Sequence, residues 1–476
     1  MDNVQYAGQF NIDEVKIFSS SGTVIDITKL VVAMNLYEDV YKTAVTGTIA
    51  VSDTNNIIME APIIGQEFIG FKISTPGLDK FALDYSEHVF TITKVLARAS
   101  SNPGAQAYSF YFCSPEGLRD TRVRVSKSYT NSLDAIVEDI LTAPQYINSK
   151  KTFFIEPTKG IRRITVPYIH PFKFINQLKQ DAISAKHDSP HYMFYENTLG
   201  YHFRSLDSLF AQKAIATFHT GDKGSIEDVG KDPRNIEEEY KRVMQFQVSG
   251  NSDMLQNVVT GMLASNIITH DIFRKEYRVD DFEYFNDFFD NYRINYDETK
   301  KDNPIYNEAP IDEFDNDVSM FTDAKRYVHP TSTTENNIDA QHYEKFPAIA
   351  GVIQRNTFTA NNIPKTIMSR QSKLAELTKG VSVTIEVHGT TTLHVGAIVN
   401  FSAPVVGAQH SGEKFDKYLS GRYMIKTLKH TFDFSERRHL CAMTLVKDSF
   451  NTKLPMHDLA IEPKAEARGI LSEFYS

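Results

Sequence analysis

The sequence predicts a mixed, β-rich fold: two similar small β-barrel domains, a pseudo-repeat, with an intervening α+β domain. Three observations carry this expectation. Apolar–polar alternation of strand length recurs at short intervals before residue 124 and again after residue 380. Between these blocks the apolar period changes to that of amphipathic helices. The strand-like runs of the two blocks also follow one another in the same order.

In the first block, Val15 and Ile17 and then Val24, Ile25 and Ile27 flank the turn-forming Ser19–Gly22 segment, which predicts a hairpin. Alternation continues through 46–52, 67–73, 88–95 and 107–113, with Ile69, Phe71 and Ile73 on the face opposite Phe68. In the insert, Asn131 or Ser132 caps a helix with a stripe of Leu133, Ile136, Val137, Ile140 and Leu141, stopped by Pro144. A second helix opens at Pro171 and carries Phe174, Ile175, Leu178 and Ala182. Tyr192–Tyr195 and Tyr201–Phe203, joined by Asn197–Gly200, predict a hairpin. A short strand at Met244, Phe246 and Val248 precedes a helical stripe from Met254 to Leu263. The stretch onward to 335, with aromatic Tyr284, Phe285, Phe288 and Phe289 and acidic 312–317, reads as irregular surface loops. Strands return at 381–387, 393–399, 423–428 and 440–446. The expected organisation is a first barrel over 1–124, an α+β insert over 125–232 and a bridging segment over 233–340. A second barrel follows over 341–450, then a C-terminal docking tail over 451–476.

A chain of 476 residues is long enough for several cores, and 41% hydrophobic with 23% charged residues fits a folded globular protein. The net charge of −9 offers no global basic field for nucleic acid or anionic lipid. It suits solubility, and equally a surface past which DNA slides without sticking. Cys113 and Cys441 sit in apolar alternating runs and read as reduced core thiols in a chain made in a cytoplasm. The N-terminus shows no secretory pattern, and no run approaches the roughly 18 apolar residues of a membrane span.

The repeat organises the whole reading. In the first block 64–69, 90–95 and 107–113 follow one another; in the last, 395–399, 423–428 and 439–445 do. One chain then supplies two equivalent faces, and a trimer presents six.

No catalytic signature stands out: G-x-S-x-G, GxxxxGK[ST], HExxH and CxxC are all missing. His187 and His191 are four apart, but Pro190 between them points to a solvated loop pair rather than a metal site. The acidic tract 312–317 lacks the glycine and terminal glutamate of a calcium loop. Arg162-Arg163 and Arg437-Arg438 are too short for a nucleic-acid footprint, and Glu237-Glu238-Glu239 reads as an exposed charged face. Catalytic, cofactor and metal residues are therefore expected to be none.

The order barrel, α+β insert, barrel resembles the central baseplate hub protein of contractile-tailed, T-even-type phages. More distantly it is similar to the hub region of type VI secretion spike proteins. The resemblance rests on Tyr168-Ile-His-Pro-Phe-Lys-Phe-Ile-Asn-Gln-Leu178 followed by Met193-Phe-Tyr-Glu-Asn197, and on Ser420-Gly-Arg-Tyr-Met-Ile-Lys-Thr-Leu-Lys-His430. It spans about residues 10–450. It implies a homotrimeric ring that joins a threefold central spike to a hexameric tail tube, among baseplate wedge proteins. DNA would pass through the lumen without specific binding, with no membrane insertion and no cofactor. The implied place is the virion tail baseplate, assembled in the host cytoplasm. Lumen-facing positions should then be acidic or neutral. Leu454, Ile470, Leu471 and Phe474 in the tail are the candidate spike-docking residues, unless that terminus is dispensable. The competing reading is a tail-associated glycan or cell-wall hydrolase or adhesin, which needs two carboxylates roughly 5–10 Å apart in a groove.

Overall fold

In the computed structural model the chain alternates strand-rich and helix-containing stretches in the predicted order. It describes residues 4–452 except 20–21, 55–56, 58–62, 103–104, 221–235, 251–252, 272–274, 289–291, 296–304, 306–321, 332–362, 364 and 406–414. The tail residues Leu454, Ile470, Leu471 and Phe474 and the acidic tract 312–317 lie outside the described residues.

The first hairpin pairs Asn11–Phe18 (β1) with Val24–Asp26 (β2), with Ile17 opposite Ile25. Val31–Asp39 (β3) and Thr46–Asp53 (β4) follow as a second hairpin. Phe68–Ser74 (β5), Leu83–Asp84 (β6), Phe90–Asn102 (β7) and Ala105–Cys113 (β8) complete the block. Period-2 alternation works as expected in β5: Ile69, Phe71 and Ile73 are fully buried, whereas Phe68 is 41% exposed. These strands close over one core, with Phe71, Phe90 and Phe112 packed ring to ring.

Pro115–Arg122 (α1) leads into the insert. There Ser128–Asn131 (β9) pairs with Arg162–Thr165 (β11), and Phe153–Ile155 (β10) lies beside the hairpin of Tyr192–Asn197 (β12) and Gly200–Ser205 (β13). The two expected helices are Leu133–Thr142 (α2) and Pro171–Asp181 (α3), and their apolar stripes are buried together. Gly200 (φ +138°) is required where it stands, because a Cβ there would lie 2.1 Å from the Thr152 carbonyl oxygen.

Leu206–Phe210 (α4), Ala214–His219 (β14), Ile236–Lys241 (α5), Val243–Gly250 (β15) and Met254–Val259 (α6) continue the chain. Arg370–Lys379 (α7) precedes the final strands: Val381–His388 (β19), Ile398–Ser402 (β20), Gly421–Asp433 (β21) and Arg438–Lys447 (β22).

Three local expectations are corrected. The stretch after residue 263 is not simply irregular, since Ala264–Asp271 (β16) pairs with Glu276–Glu283 (β17) and with Arg326–Thr331 (β18). The helical stripe ends at Val259; Met262 and Leu263 are buried beyond it, at the start of β16. Leu393 and Val395 are buried but lie in a turn, because Gly396 (φ +79°) bends the chain tightly against the Tyr195 hydroxyl. A Cβ at Gly396 would sit 2.0 Å from that oxygen.

The barrels differ most from expectation. Strands of both halves share one 14-stranded sheet, ordered β15-β19-β22-β21-β3-β4-β8-β7-β5-β1-β2 along its main path, and none of the described sheets closes into a barrel. Within that sheet the pairing order β5-β7-β8-β4-β3 of the first half is matched by β20-β21-β22-β19-β15 in the second. Every pair in both series is antiparallel.

Candidate functional site

The two halves meet where β21 pairs with β3, His430 opposite Leu36 and Thr431 opposite Asn35. β21 is a 13-residue strand used twice: Gly421–Met424 face β20, whereas Thr427–Asp433 face β3. Its positional counterpart β7 is also 13 residues long. There, only Phe90 and Thr91 pair with β5, so the edge from Lys94 onward has no strand partner among the described residues. β15, one end of the sheet's main path, pairs with β19 on one side and presents Gln245, Gln247 and Ser249 exposed. Among the described residues the sheet therefore carries one completed seam between its halves, and β7 and β15, the counterparts of the seam strands, each keep an open edge; β2, β6 and β14 also pair on one side only. Open edges expose unpaired backbone donors and acceptors and invite another strand.

The side of this sheet turned away from the cores mixes hydroxyl and amide groups with charges of both signs, Asp39 on β3 and Lys429 and Asp433 on β21. Asn35 donates to Thr48 Oγ1 at 3.2 Å and accepts from Thr431 Oγ1 at 3.0 Å, linking β4, β3 and β21. Ser249 and Ser382 hydroxyls meet at 2.8 Å, and Thr384 reaches Ser249 at 3.3 Å. Hydroxyls that satisfy one another in this way offer no fixed positive charge to a polyanion.

Buried charge fixes the insert against the sheets. Glu196 accepts from Ser114 Oγ at 2.6 Å and from the Val45 N–H at 2.8 Å, and Lys151 bridges it to Glu116. Burial pushes the Glu196 carboxyl up, against the pull of Lys151; at Glu116 burial pushes the same way, but the Lys151 charge and the hydrogen bonds from Lys151 and Ser149 together outweigh it and hold the carboxyl down. Glu38 beside the seam accepts from the Thr198 N–H at 3.0 Å and the Val395 N–H at 2.9 Å, tying two distant stretches of chain to β3. Burial raises Glu38 to about 7, with the two backbone donors opposing. The folded state therefore holds a proton that the unfolded chain, near the ordinary 4.5, has released. Stability from this group is greatest below pH 4.5 and falls as pH rises toward 7. Unfolding midpoints followed over that interval should slope downward, and Glu38→Gln should flatten the slope; an unchanged slope would assign it to other groups.

The remaining predicted residues are dispersed. His187 and His191 do not form a solvated pair: His191 is fully buried, with Ser189 Oγ at 3.0 Å and Ser369 Oγ at 3.2 Å. Arg162 is buried and Arg163 exposed, so they share no surface. Glu237, Glu238 and Glu239 are exposed on α5, where Lys241 pairs with the first two. Cys113 is half-buried and Cys441 buried, both free thiols. The seam and its open edges were missed because backbone pairing between distant strands leaves no side-chain signature. The equal length and matching order of β7 and β21 was the available signal.

No protein-family model matches this chain, and no curated protein matches it. Solved structures do resemble it. The tail protein from Neisseria meningitidis MC58 superposes with a TM-score of 0.50 at 9% identity, over 92% of this chain and 97% of that one. The 43 kDa tail protein of prophage MuSo2 from Shewanella oneidensis gives 0.48 at 9% identity, over 92% and 99%. A type VI secretion component from E. coli, described as structurally similar to T4 phage tail proteins, gives 0.39 at 10%, over 94% and 79%. The chain thus shares its fold, over almost its full length, with a bacterial tail protein.

Proposed function

We propose that this chain is the non-enzymatic structural hub of a contractile tail baseplate. Three copies form a ring that joins the threefold central spike to the hexameric tail tube. The observation that carries the reading is the pairing of one completed seam with two matching open edges. The repeated strand order makes β7 the counterpart of β21 and β15 the counterpart of β3. The seam β21·β3 within one chain would recur between chains as β7·β15. Three copies, each with two barrel-like units, then close a ring of six, leaving neither edge open.

The hydroxyl- and amide-rich outer face, where Lys429 is offset by Asp39 and Asp433, and the net charge of −9 support a conduit through which DNA passes without binding. The barrel-like character of each half, the domain limits at 124, 232, 340 and 450, and docking of the spike by Leu454, Ile470, Leu471 and Phe474 belong to the same proposal. So do contacts with tube and wedge proteins, and assembly in the host cytoplasm before the virion tail is complete. The hydrolase reading is weaker, since Glu116 and Glu196 are buried and share Lys151 rather than facing a groove.

Native mass measurement tests the ring. The expected species is a trimer of the 54.0 kDa chain. A Gln247→Pro, Ala99→Pro double variant places a residue that cannot donate to a ladder in each of these two strands and should give monomers. A wild-type monomer stable at micromolar concentration that also fails to bind a spike protein would overturn the proposal.

A further inference from the structure

Beside the seam, three potential metal ligands converge in the core. His439 and Cys441 are two apart on β22 and so share a face, and the register places His430 of β21 directly opposite Cys441. All three are fully buried. His430 Nδ1 lies 3.0 Å from His439 Nε2 and 3.3 Å from Cys441 Sγ, and that sulfur lies 3.5 Å from His439 Nε2. Each atom is in contact with both others. A point equidistant from all three lies about 1.9 Å from each. An ion slightly above their plane therefore meets them at the 2.0–2.3 Å that imidazole nitrogen and thiolate sulfur prefer. Hydrogen bonds alone explain the triangle poorly, because a ring nitrogen that carries a proton cannot also accept, so at most two of the three contacts can each have a donor and an acceptor of their own.

The surroundings hold the rings in place. Phe432 stacks on His439 with centroids 4.1 Å apart, and a Cβ at Gly389 would lie 2.4 Å from the His439 ring. Among the described residues His439 Nδ1, turned away from the cluster, has no hydrogen-bond partner, whereas His430 has the Leu393 backbone beside it.

We infer that His430, His439 and Cys441 form a structural site for a soft d10 metal ion, Zn(II) or Cu(I), which locks β21 to β22 beside the β21·β3 seam. Binding would replace the Cys441 thiol proton, which is released, by a metal–sulfur bond. Cu(I) with one thiolate is electrically neutral and accepts three ligands; Zn(II) takes a fourth, small ligand.

The test uses the full chain. Metal analysis after expression without an affinity tag should give about one zinc or copper per chain, and which metal is found separates the two ions. Protein expressed in cobalt-supplemented medium should show a thiolate-to-cobalt charge-transfer band if the site takes divalent ions, and copper alone in the metal analysis if it takes Cu(I). Cys441→Ser should abolish metal and band, whereas Cys113→Ser should keep both. Should Cys441→Ser fail to fold, His430→Gln serves in its place, and the wild-type spectrum still decides. Metal-free wild-type protein without a cobalt band would overturn the inference and leave a hydrogen-bonded triangle only; so would metal retained in folded Cys441→Ser.

Discussion

Replacing Lys151 with methionine is expected to destabilise the protein by about 3–5 kcal/mol, because it leaves two buried carboxylates facing each other without a cation. Lys151 Nζ lies 2.8 Å from Glu116 and also contacts Glu196; all three side chains are at most 10% exposed. Glu116 is further held by Ser149 Oγ at 2.7 Å, so neither carboxylate can swing out to water without breaking other bonds. One would have to take up a proton, which makes the loss larger at neutral than at acidic pH. Urea unfolding at pH 5 and pH 8 measures both effects. A loss under about 1 kcal/mol at pH 8 would mean that water enters the cluster. The triple variant Lys151→Met, Glu116→Gln, Glu196→Gln should recover much of the stability, since the penalty lies in stranded charge rather than in a missing contact.

Arg293→Met is expected to cost a similar amount, about 3–5 kcal/mol, through a different knot. Arg293 is fully buried. Its Nε donates to Glu376 Oε1 at 3.0 Å, and the Tyr284 hydroxyl donates to the same oxygen at 2.5 Å. Beside them Lys373 donates to Asp448 at 2.6 Å and to the Tyr292 carbonyl at 2.8 Å, and Asp448 accepts from the Ile294 N–H at 3.0 Å. The knot fastens the segment around residue 293 to α7 and to the end of β22. Arg293→Lys retains the charge but loses the planar fork, so it should recover only part of the loss. Thermal unfolding of the pair distinguishes charge from geometry: equal midpoints for Met and Lys would show that the fork carries the effect.

Both knots join residues far apart in sequence, and neither was legible beforehand. Lys151 follows an ordinary helix end and Arg293 sits in a stretch read as loop. Their partners are 35 to 45 and 83 residues away. The hairpin β16–β17 was hidden for another reason. Glu276-Tyr-Arg-Val-Asp280 does alternate, but only over five residues, and its apolar Tyr277 and Val279 are exposed, so no core selects a face of this strand. The buried His191 was misread because a histidine beside proline in a polar stretch looks the same whether solvated or enclosed.

Other elements were legible because one face of each meets a core. The stripe of α2 and the alternation of β5, β19 and β22 are consequences of burying one side of a regular element, and that requirement is written locally. The sequence by itself thus determined the β-rich class, the helical insert and the repeated order of strands. Only the tertiary structure decided that the two halves join into one sheet through β21 and β3, where the open edges lie, and that His430 meets His439 and Cys441. Backbone hydrogen bonds between strands are available to every residue alike, so their partners are selected by the packing of the whole chain and not by any local pattern.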